Sequence, residues 1–341
     1  MIDFNSRLTA AKIHDFVEHI LELSKCIGFK VSARGWCYLM EQEGYIDKSQ
    51  FDKVEYWINT ARRKGLLPID FTKSDAARHA EGVESFHVCG IKDHITYWLD
   101  TINEIPRLYE PSWWQGEKFY IQMIVEKDDL VTLFSPVLSR YHIPISNAKG
   151  WSSMLQRAAY TRRFKEAEDL GLQCVLLYFG DHDPDGLRIA ENIRKNLHDL
   201  EDIKWGDGCT GYNPSHLMID RVGLTYKFIG DFKLTWIDNL ITGGKKDLAS
   251  PAHRNFKLPY VQKYLKTIGK KKCEANVCVT IPDISRKYLE AWINRYYDKS
   301  ILERWKAKVR KVRGDITGIM EEQEIFSTAK EWINNIEGRE E

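Results

Sequence analysis

Apolar and polar positions follow two different periods along this chain, and the change from one to the other divides it. Over residues 8 to 24, LTAAKIHDFVEHILELS, the apolar Ile13, Phe16, Val17, Ile20 and Leu21 share one helical face. A second helix is expected from Gly35 to Gln42. A third is marked by a capping box at Ser49 and Asp52, a stripe of Val54, Trp57, Ile58 and Ala61, and a stop at Gly65. The short apolar segment LLPIDF comes next. Three short helices followed by an extended segment suit a helix-turn-helix unit with a wing, although three-helix units have many other uses.

Residues 72 to 112 are polar and mixed, with one helical stretch near Ile91 to Ile102. IPRLYEPSWWQGE then punctuates the chain with two prolines and a glycine. The expected boundary therefore falls near residue 112. It gives a mainly helical, winged-helix-like domain over 1–112 and an α/β domain with a C-terminal helical extension over 113–341. Beyond the boundary the runs shorten. FYIQMIV (119–125) and CVLLYFG (174–180) are compact apolar runs of strand length, and IPISNAKG reads as another strand with its turn. Helical stretches alternate with them: EKDDLVTLFSPVLSRY, WSSMLQRAAYTRRFKEAEDLG and LRIAENIRKNLHDL. Such alternation predicts a Rossmann-like parallel sheet covered by helices. LMIDRVG is strand-like, residues 224 to 260 are irregular, and residues 284 to 311 form one long helical tract.

Composition narrows the class. The chain has 341 residues, 43% hydrophobic and 29% charged, which reads as globular. A formal net charge of +1 is unlike that of a tail-driven DNA binder, so any nucleic-acid contact must come from local clusters. Three stand out: Arg62 to Lys64, Lys270 to Lys272, and Arg304, Lys306, Lys308, Arg310, Lys311 and Arg313. Each cluster alone is more often a solvated face, and the tract from Arg304 to Arg313 could line a DNA channel or simply solubilise a helix. Seven cysteines without a C-x-x-C argue against a disulfide scaffold or a structural zinc site. No apolar run is long enough to cross a bilayer. The expectation is a reduced intracellular protein, cytoplasmic or nucleoid-associated, with no membrane.

The candidate chemistry lies in three acids. Glu126 follows one expected strand directly, and Asp181 and Asp183 follow another. Ligands gather at the carboxyl ends of strands in open α/β sheets, so the three acids are expected to converge. Oxygen donors suit Mg²⁺, or Mn²⁺ in its place. A cation also relieves the repulsion between clustered carboxylates and can polarise a phosphoryl oxygen. D-P-D-G is equally a turn signal, with Gly186 letting the backbone fold tightly. Asp128 and Asp129 suit the N-terminus of a helix, with support of the acids from behind as the alternative. Lys127 is an accessory candidate that steadies charge, and His182 either meets phosphate or packs locally.

These residues resemble a known family. IVEKDD, NAKGWSS and YFGDHDPDGLRI resemble the Toprim domain. The version is that of the A subunit of type IIB DNA topoisomerase (topoisomerase VI), its meiotic double-strand-break relatives and their uncharacterised phage, bacterial and archaeal cousins. The resemblance implies Mg²⁺ ligands at Glu126, Asp181 and Asp183, with Asp185 in a position that is not a required ligand. Gly150 and Trp151 match the glycine-containing turn. RVGLTYKFI resembles a later segment of these relatives, and CEANV loosely resembles the stretch written ELDAL.

In the N-terminal half, ARGWCYLM resembles the winged-helix pattern R-D-I-Y/F-Y. That implies Tyr38 as nucleophile and Arg34 as its accompanying arginine, with Gly35 standing where the pattern has an acid. A phenol with a pKa of about 10 needs such a cation beside it. The implied activity is Mg²⁺-dependent cleavage of double-stranded DNA by transesterification through tyrosine. The implied assembly is a homodimer, with a separate ATPase or regulatory subunit. Two alternatives stay open: a Toprim nuclease using water, and a non-catalytic DNA-binding module.

Overall fold

The protein is described here by a computed structural model covering residues 9–68, 70–73, 90–147, 154–205, 207–241, 247–298 and 300–337. The chain divides into two compact units, residues 1–75 with 117–296, and residues 76–116 with 297–341. This differs from a single boundary near residue 112. The first helices pack in the same unit as the sheet, and the segment leading to residue 116 joins the C-terminal helices.

Three helices open the first unit: α1 (Ala10–Ile27), α2 (Ala33–Gln42) and α3 (Phe51–Arg63). Thr9 caps α1 by accepting from the Lys12 N–H, and Gly28 ends it at φ 69°, a left-handed conformation that costs glycine nothing. Ser32 caps α2 by accepting from the Gly35 N–H. The capping box before α3 is formed by Asp47 and Gln50, not by Ser49 and Asp52. It opens a single 3-10 turn that runs into the helix, and the Ser49 N–H is one of the groups Asp47 satisfies. Phe16 meets Trp57 edge-on at 5.6 Å, and Trp36 stacks on Phe71 at 5.1 Å. Among the described residues of the expected extended segment there is no strand, and Ile69 of that segment lies outside them.

Next in the chain is α4 (Ile91–Leu108), which belongs to the second unit. The sheet then begins with β1 (Phe119–Val125), α5 (Asp128–Leu138) and β2 (Ile145–Asn147). It continues through α6 (Met154–Asp169), β3 (Gln173–Phe179), α7 (Ile189–His198) and β4 (Met218–Gly223). All pairings are parallel, in the order β2-β1-β3-β4, so the expected α/β class and parallel sheet are observed. Six of the seven residues in each of β1 and β3 are buried, which explains why both runs are apolar apart from Gln122 and Gln173. Within β1, the side-chain oxygen Oε1 of the buried Gln122 accepts two hydrogen bonds from Arg163, at 3.1 and 2.9 Å. Helix α5 packs on β1 and β2, α6 on β3, and α7 on β4.

Three short helices complete this unit: α8 (Tyr226–Asp231), α9 (Pro259–Thr267) and α10 (Pro282–Ile293). The expected single helix over 284–311 is two, because α11 (Ile301–Glu322) starts anew. Between them Asp298 accepts from the Ser300 N–H at 2.7 Å, a local turn that competes with helix.

The second unit packs α4 against α11 and α12 (Ile325–Glu337). Trp113 lies 5.3 Å from Trp305 and 6.2 Å from Tyr297. Much of the basic tract is engaged within this unit. Lys308 donates to the Ser112 carbonyl at 3.0 Å, Arg313 to the Arg107 carbonyl at 3.2 Å, and Lys306 pairs with Glu303 at 2.8 Å. Among the described residues no helix is long and apolar enough to cross a membrane.

Candidate metal centre at the strand ends

The register of the two central strands builds the site. Val125 stands opposite Phe179, so β1 and β3 end level and Glu126 falls beside the start of the D-H-D-P-D-G turn. The Glu126 N–H donates to the Phe179 carbonyl at 3.0 Å. Its Oε2 accepts from the Asp181 N–H at 2.8 Å and from the Tyr178 hydroxyl at 3.3 Å. The Asp181 Oδ1 accepts from the Ala275 N–H at 2.7 Å. Lys127 Nζ stands 3.2 Å from Asp181 Oδ2 and 3.6 Å from Glu126 Oε1. Two acids from adjacent strands thus share one ammonium.

Electrostatics follow from that crowding. Burial first, and Glu126 second, push Asp181 up to about 6, against the pull of Lys127. Burial works against the Lys127 ammonium, but Asp181 and Glu126 outweigh it and raise its pKa above the ordinary lysine value. Lys127, an accessory candidate in the sequence, is therefore the counter-charge of the pair.

Asp183 sits in the same turn and is also buried, with its pKa pushed up to about 6 mainly by that burial. Its Oδ1 accepts from the Gly186 N–H at 2.6 Å. A Cβ on Gly186 would come within 2.3 Å of the Asp181 carbonyl oxygen, so only glycine closes this turn. Asp185 accepts from the Tyr260 hydroxyl at 2.9 Å. Arg221 on β4 clasps the turn from below. It donates to the carbonyls of Asp181 at 2.9 Å, Gly186 at 3.1 Å and Leu224 at 2.7 Å.

Among the described residues no group of three or more His, Cys, Asp or Glu side chains is gathered closely enough to hold a metal ion. Glu126 and Asp181 converge, whereas Asp183 turns to its own helix start. Two carboxylates around one positive charge still fit a hydrated divalent ion, since Mg²⁺ keeps several waters and commonly takes one or two protein carboxylates.

His182 takes the packing option of the two left open by the sequence. Its Nδ1 lies 2.8 Å from the Leu224 carbonyl oxygen, and its ring is surrounded by Tyr226, Trp236 and Tyr264.

Tyr38 and Arg34 reach the same region from α2. Arg34 Nη1 pairs with Glu55 at 3.1 Å, and its guanidinium lies 4.9 Å from the Phe51 ring centre. Together with Ser32, Glu126, Lys127, Asp128, Asp129 and Asn276, Arg34 lines an open cavity of about 560 Å³. Tyr38 is buried, and its hydroxyl donates to Glu274. Burial, then the Glu274 charge, raise the phenol pKa, while Arg34 pulls it down.

Asp129, which the sequence offered as support for the site or for its own helix start, organises this region together with three residues that the sequence did not mark as site residues: Arg221, Glu274 and Asn276. Asp129 is buried and takes the Ser32 N–H at 2.7 Å and the Ser32 hydroxyl at 2.8 Å. It therefore serves the start of α2 as well as that of its own helix. Glu274 is held by Lys48 at 2.7 Å and Lys272 at 3.1 Å. The loose likeness of CEANV to a family segment was the one hint to Glu274 and Asn276. Gly150 and Trp151 lie outside the described residues.

No family model, curated protein or solved structure matches this chain.

Proposed function

We propose that the chain is a divalent-cation-dependent enzyme that breaks phosphodiester bonds in DNA at the Glu126–Asp181 end of its sheet. The observation that carries this reading is the meeting of these two carboxylates around a single positive charge at the edge of an open cavity. A Toprim fold for the sheet and a winged-helix role for α1 to α3 belong to the same proposal, supported by the sequence resemblance. Bound to Glu126 and Asp181 with its waters, Mg²⁺ or Mn²⁺ would polarise a phosphoryl oxygen and stabilise the leaving one. Arg34 and Lys127, which line the same cavity, give phosphate two cationic partners, and Arg34 can contact it in a bidentate way.

The nucleophile is the point on which geometry weighs. With its proton directed at Glu274 and its pKa raised by burial, Tyr38 is a poor nucleophile as it stands. This favours activated water, leaving free DNA ends. The tyrosine reading is supported by Arg34, four positions before Tyr38 on α2, whose charge pulls the phenol pKa down. Cutting both strands would need two such sites, hence two copies of the chain, and strand passage would need a separate ATPase chain.

The test is cleavage of supercoiled plasmid with Mg²⁺ or Mn²⁺ by the native chain, Tyr38→Phe and Asp181→Ala, before and after protease. Free-ended breaks that persist in Tyr38→Phe and vanish in Asp181→Ala are the expected result. Protein-linked breaks lost in both variants would shift the mechanism to transesterification. Absence of metal-dependent breaks from the native chain would overturn the enzyme reading in favour of a DNA-binding module.

A further inference from the structure

The D-H-D turn faces two ways. Its acids meet Glu126 and Gly186, but the residue between them is built into an aromatic cluster. His182 lies 5.8 Å from Trp236, 6.0 Å from Tyr264 and 6.3 Å from Tyr226, ring centre to ring centre. Tyr226 and Trp236 stand 5.8 Å apart at 47°.

The backbone holds this cluster rigidly. His182 exchanges two hydrogen bonds with Cys273, at 2.8 and 3.1 Å, and Ile237 exchanges two with Lys272, at 2.8 and 2.9 Å. The segment from Lys271 to Cys273 therefore ties Trp236 to the turn that carries the acids. The Tyr264 hydroxyl fastens the same two segments, lying 2.9 Å from the carbonyl oxygens of both His182 and Lys271 with one proton to share between them.

Two features of the cluster are unlike an ordinary core. Tyr226 is 55% exposed and Trp236 is half-buried, so the rings reach the surface together. Positive charge is set on them: the Lys271 ammonium lies 4.5 Å from the Trp236 ring centre, and Lys270 beside it is exposed. In addition, the buried His182 Nε2 has no hydrogen-bond partner among the described residues.

Surface-exposed rings with lysines beside them are what single-stranded nucleic acid recognises. Each base offers a π-face to stack, and each phosphate offers a charge. A protein partner would be served by the rings but would have less use for the lysine run. We infer that Tyr226 and Trp236, with Lys271 set on the Trp236 ring and the exposed Lys270 next to it in sequence, form a stacking platform for an unpaired base of the substrate. The inference rests on the nucleic-acid reading above and deepens it. DNA would be engaged beside the acids in an unstacked or single-stranded form.

The platform can be tested without any cleavage. Fluorescence anisotropy, in EDTA, would compare a labelled oligothymidylate with an oligomer of equal length and charge carrying abasic sites. The native chain is expected to bind the base-bearing strand roughly tenfold more tightly, which corresponds to about 1.4 kcal/mol. Tyr226→Ala should abolish that difference and Tyr226→Phe should keep it. Because Tyr226 is exposed and opens a helix capped by Thr225, neither change disturbs the core. Equal affinity of the native chain for the two oligomers would overturn the inference, and so would discrimination that survives Tyr226→Ala. Discrimination by an inactive chain would leave the platform standing while the enzyme reading fell. Cleavage by a chain that does not discriminate would do the reverse.

Discussion

The hydroxyl of Tyr38 donates to the carboxylate of Glu274, and the residue after Glu274 gives its backbone N–H to Asp181 at 2.7 Å. A tyrosine on the second helix and an acid at the end of the third strand are thereby linked through two consecutive residues of a distant segment. Any movement of the phenol towards a phosphate must first break its bond to Glu274.

Tyr38→Phe isolates that bond. The ring would keep its edge-on contact with Phe51, at 5.1 Å, and Glu274 would keep both lysines. The expected loss is that of one hydrogen bond to a charged group, about 1.5–3 kcal/mol. It should be read as a lower urea midpoint at an unchanged slope. An unchanged midpoint would mean that the bond contributes nothing and that the phenol is free to move.

Glu274 sets an acid limit on the fold. Burial alone would raise its pKa, but Lys48, the Tyr38 hydroxyl and Lys272 outweigh burial and hold the carboxyl down at about 2. The folded value lies below that of the unfolded chain, so the unfolded state takes up the proton first as pH falls. The resulting stabilisation is full above the unfolded value of 4.5 and drains away as pH drops towards 2. Glu274→Gln should cost about 3 kcal/mol at pH 7, the lower end for breaking a buried pair, because Lys48 is partly exposed. Urea unfolding at pH 7 and pH 3 should show the gap between native and variant shrinking in acid.

What could be read from the sequence was local. The strand runs around Ile121 and Leu176 and the turn at Gly186 announce themselves through composition and period, and they put Glu126 and Asp181 at level strand ends. The stripe of α3 was legible too, from Val54, Trp57, Ile58 and Ala61. Long-range ties leave no such period. Nothing near Asp129 foretells that Ser32 will sit on it, 97 positions away. Nor does anything near His182 announce rings from Tyr226, Trp236 and Tyr264. The expected helix over 284–311 failed for a local reason, since Asp298 spends its carboxylate on the next turn.

Metal binding can be read apart from activity. A ligand at ten times its dissociation constant stabilises the fold by about 1.4 kcal/mol. Mg²⁺ or Mn²⁺ should therefore raise the thermal midpoint of the native chain, and Glu126→Ala or Asp181→Ala should remove the rise. Asp183→Asn keeps an acceptor for the Gly186 N–H and should change the response less than Asp181→Asn. Lys127→Ala removes the ammonium that shares the two carboxylates, and should tighten the metal by roughly tenfold, since like charges compete for one place. Metal response equal in all these variants would move the ion elsewhere.

The contact between Gly35 and Asp129 allows a test through a double variant. A Cβ on Gly35 would fall 2.7 Å from Asp129 Oδ2 and 3.0 Å from the Val31 Cβ. The carboxylate has little room to yield, because Ser32 holds both of its oxygens, at 2.7 and 2.8 Å. Alanine is the better helix former by up to about 1 kcal/mol, yet overpacking here should cost about 1–3 kcal/mol, so Gly35→Ala should destabilise the native chain. Asp129→Ala should also destabilise by about 1–3 kcal/mol, since the Ser32 N–H loses its partner. In the double variant the carboxylate obstacle is gone and only the Val31 contact remains, so the added alanine should cost clearly less than it does in the native chain. Additive losses would show that α2 is not seated on Asp129. Non-additive ones would establish the seat that also holds Arg34 at the mouth of the cavity, and cleavage should then fall in Asp129→Ala although that residue touches neither metal acid.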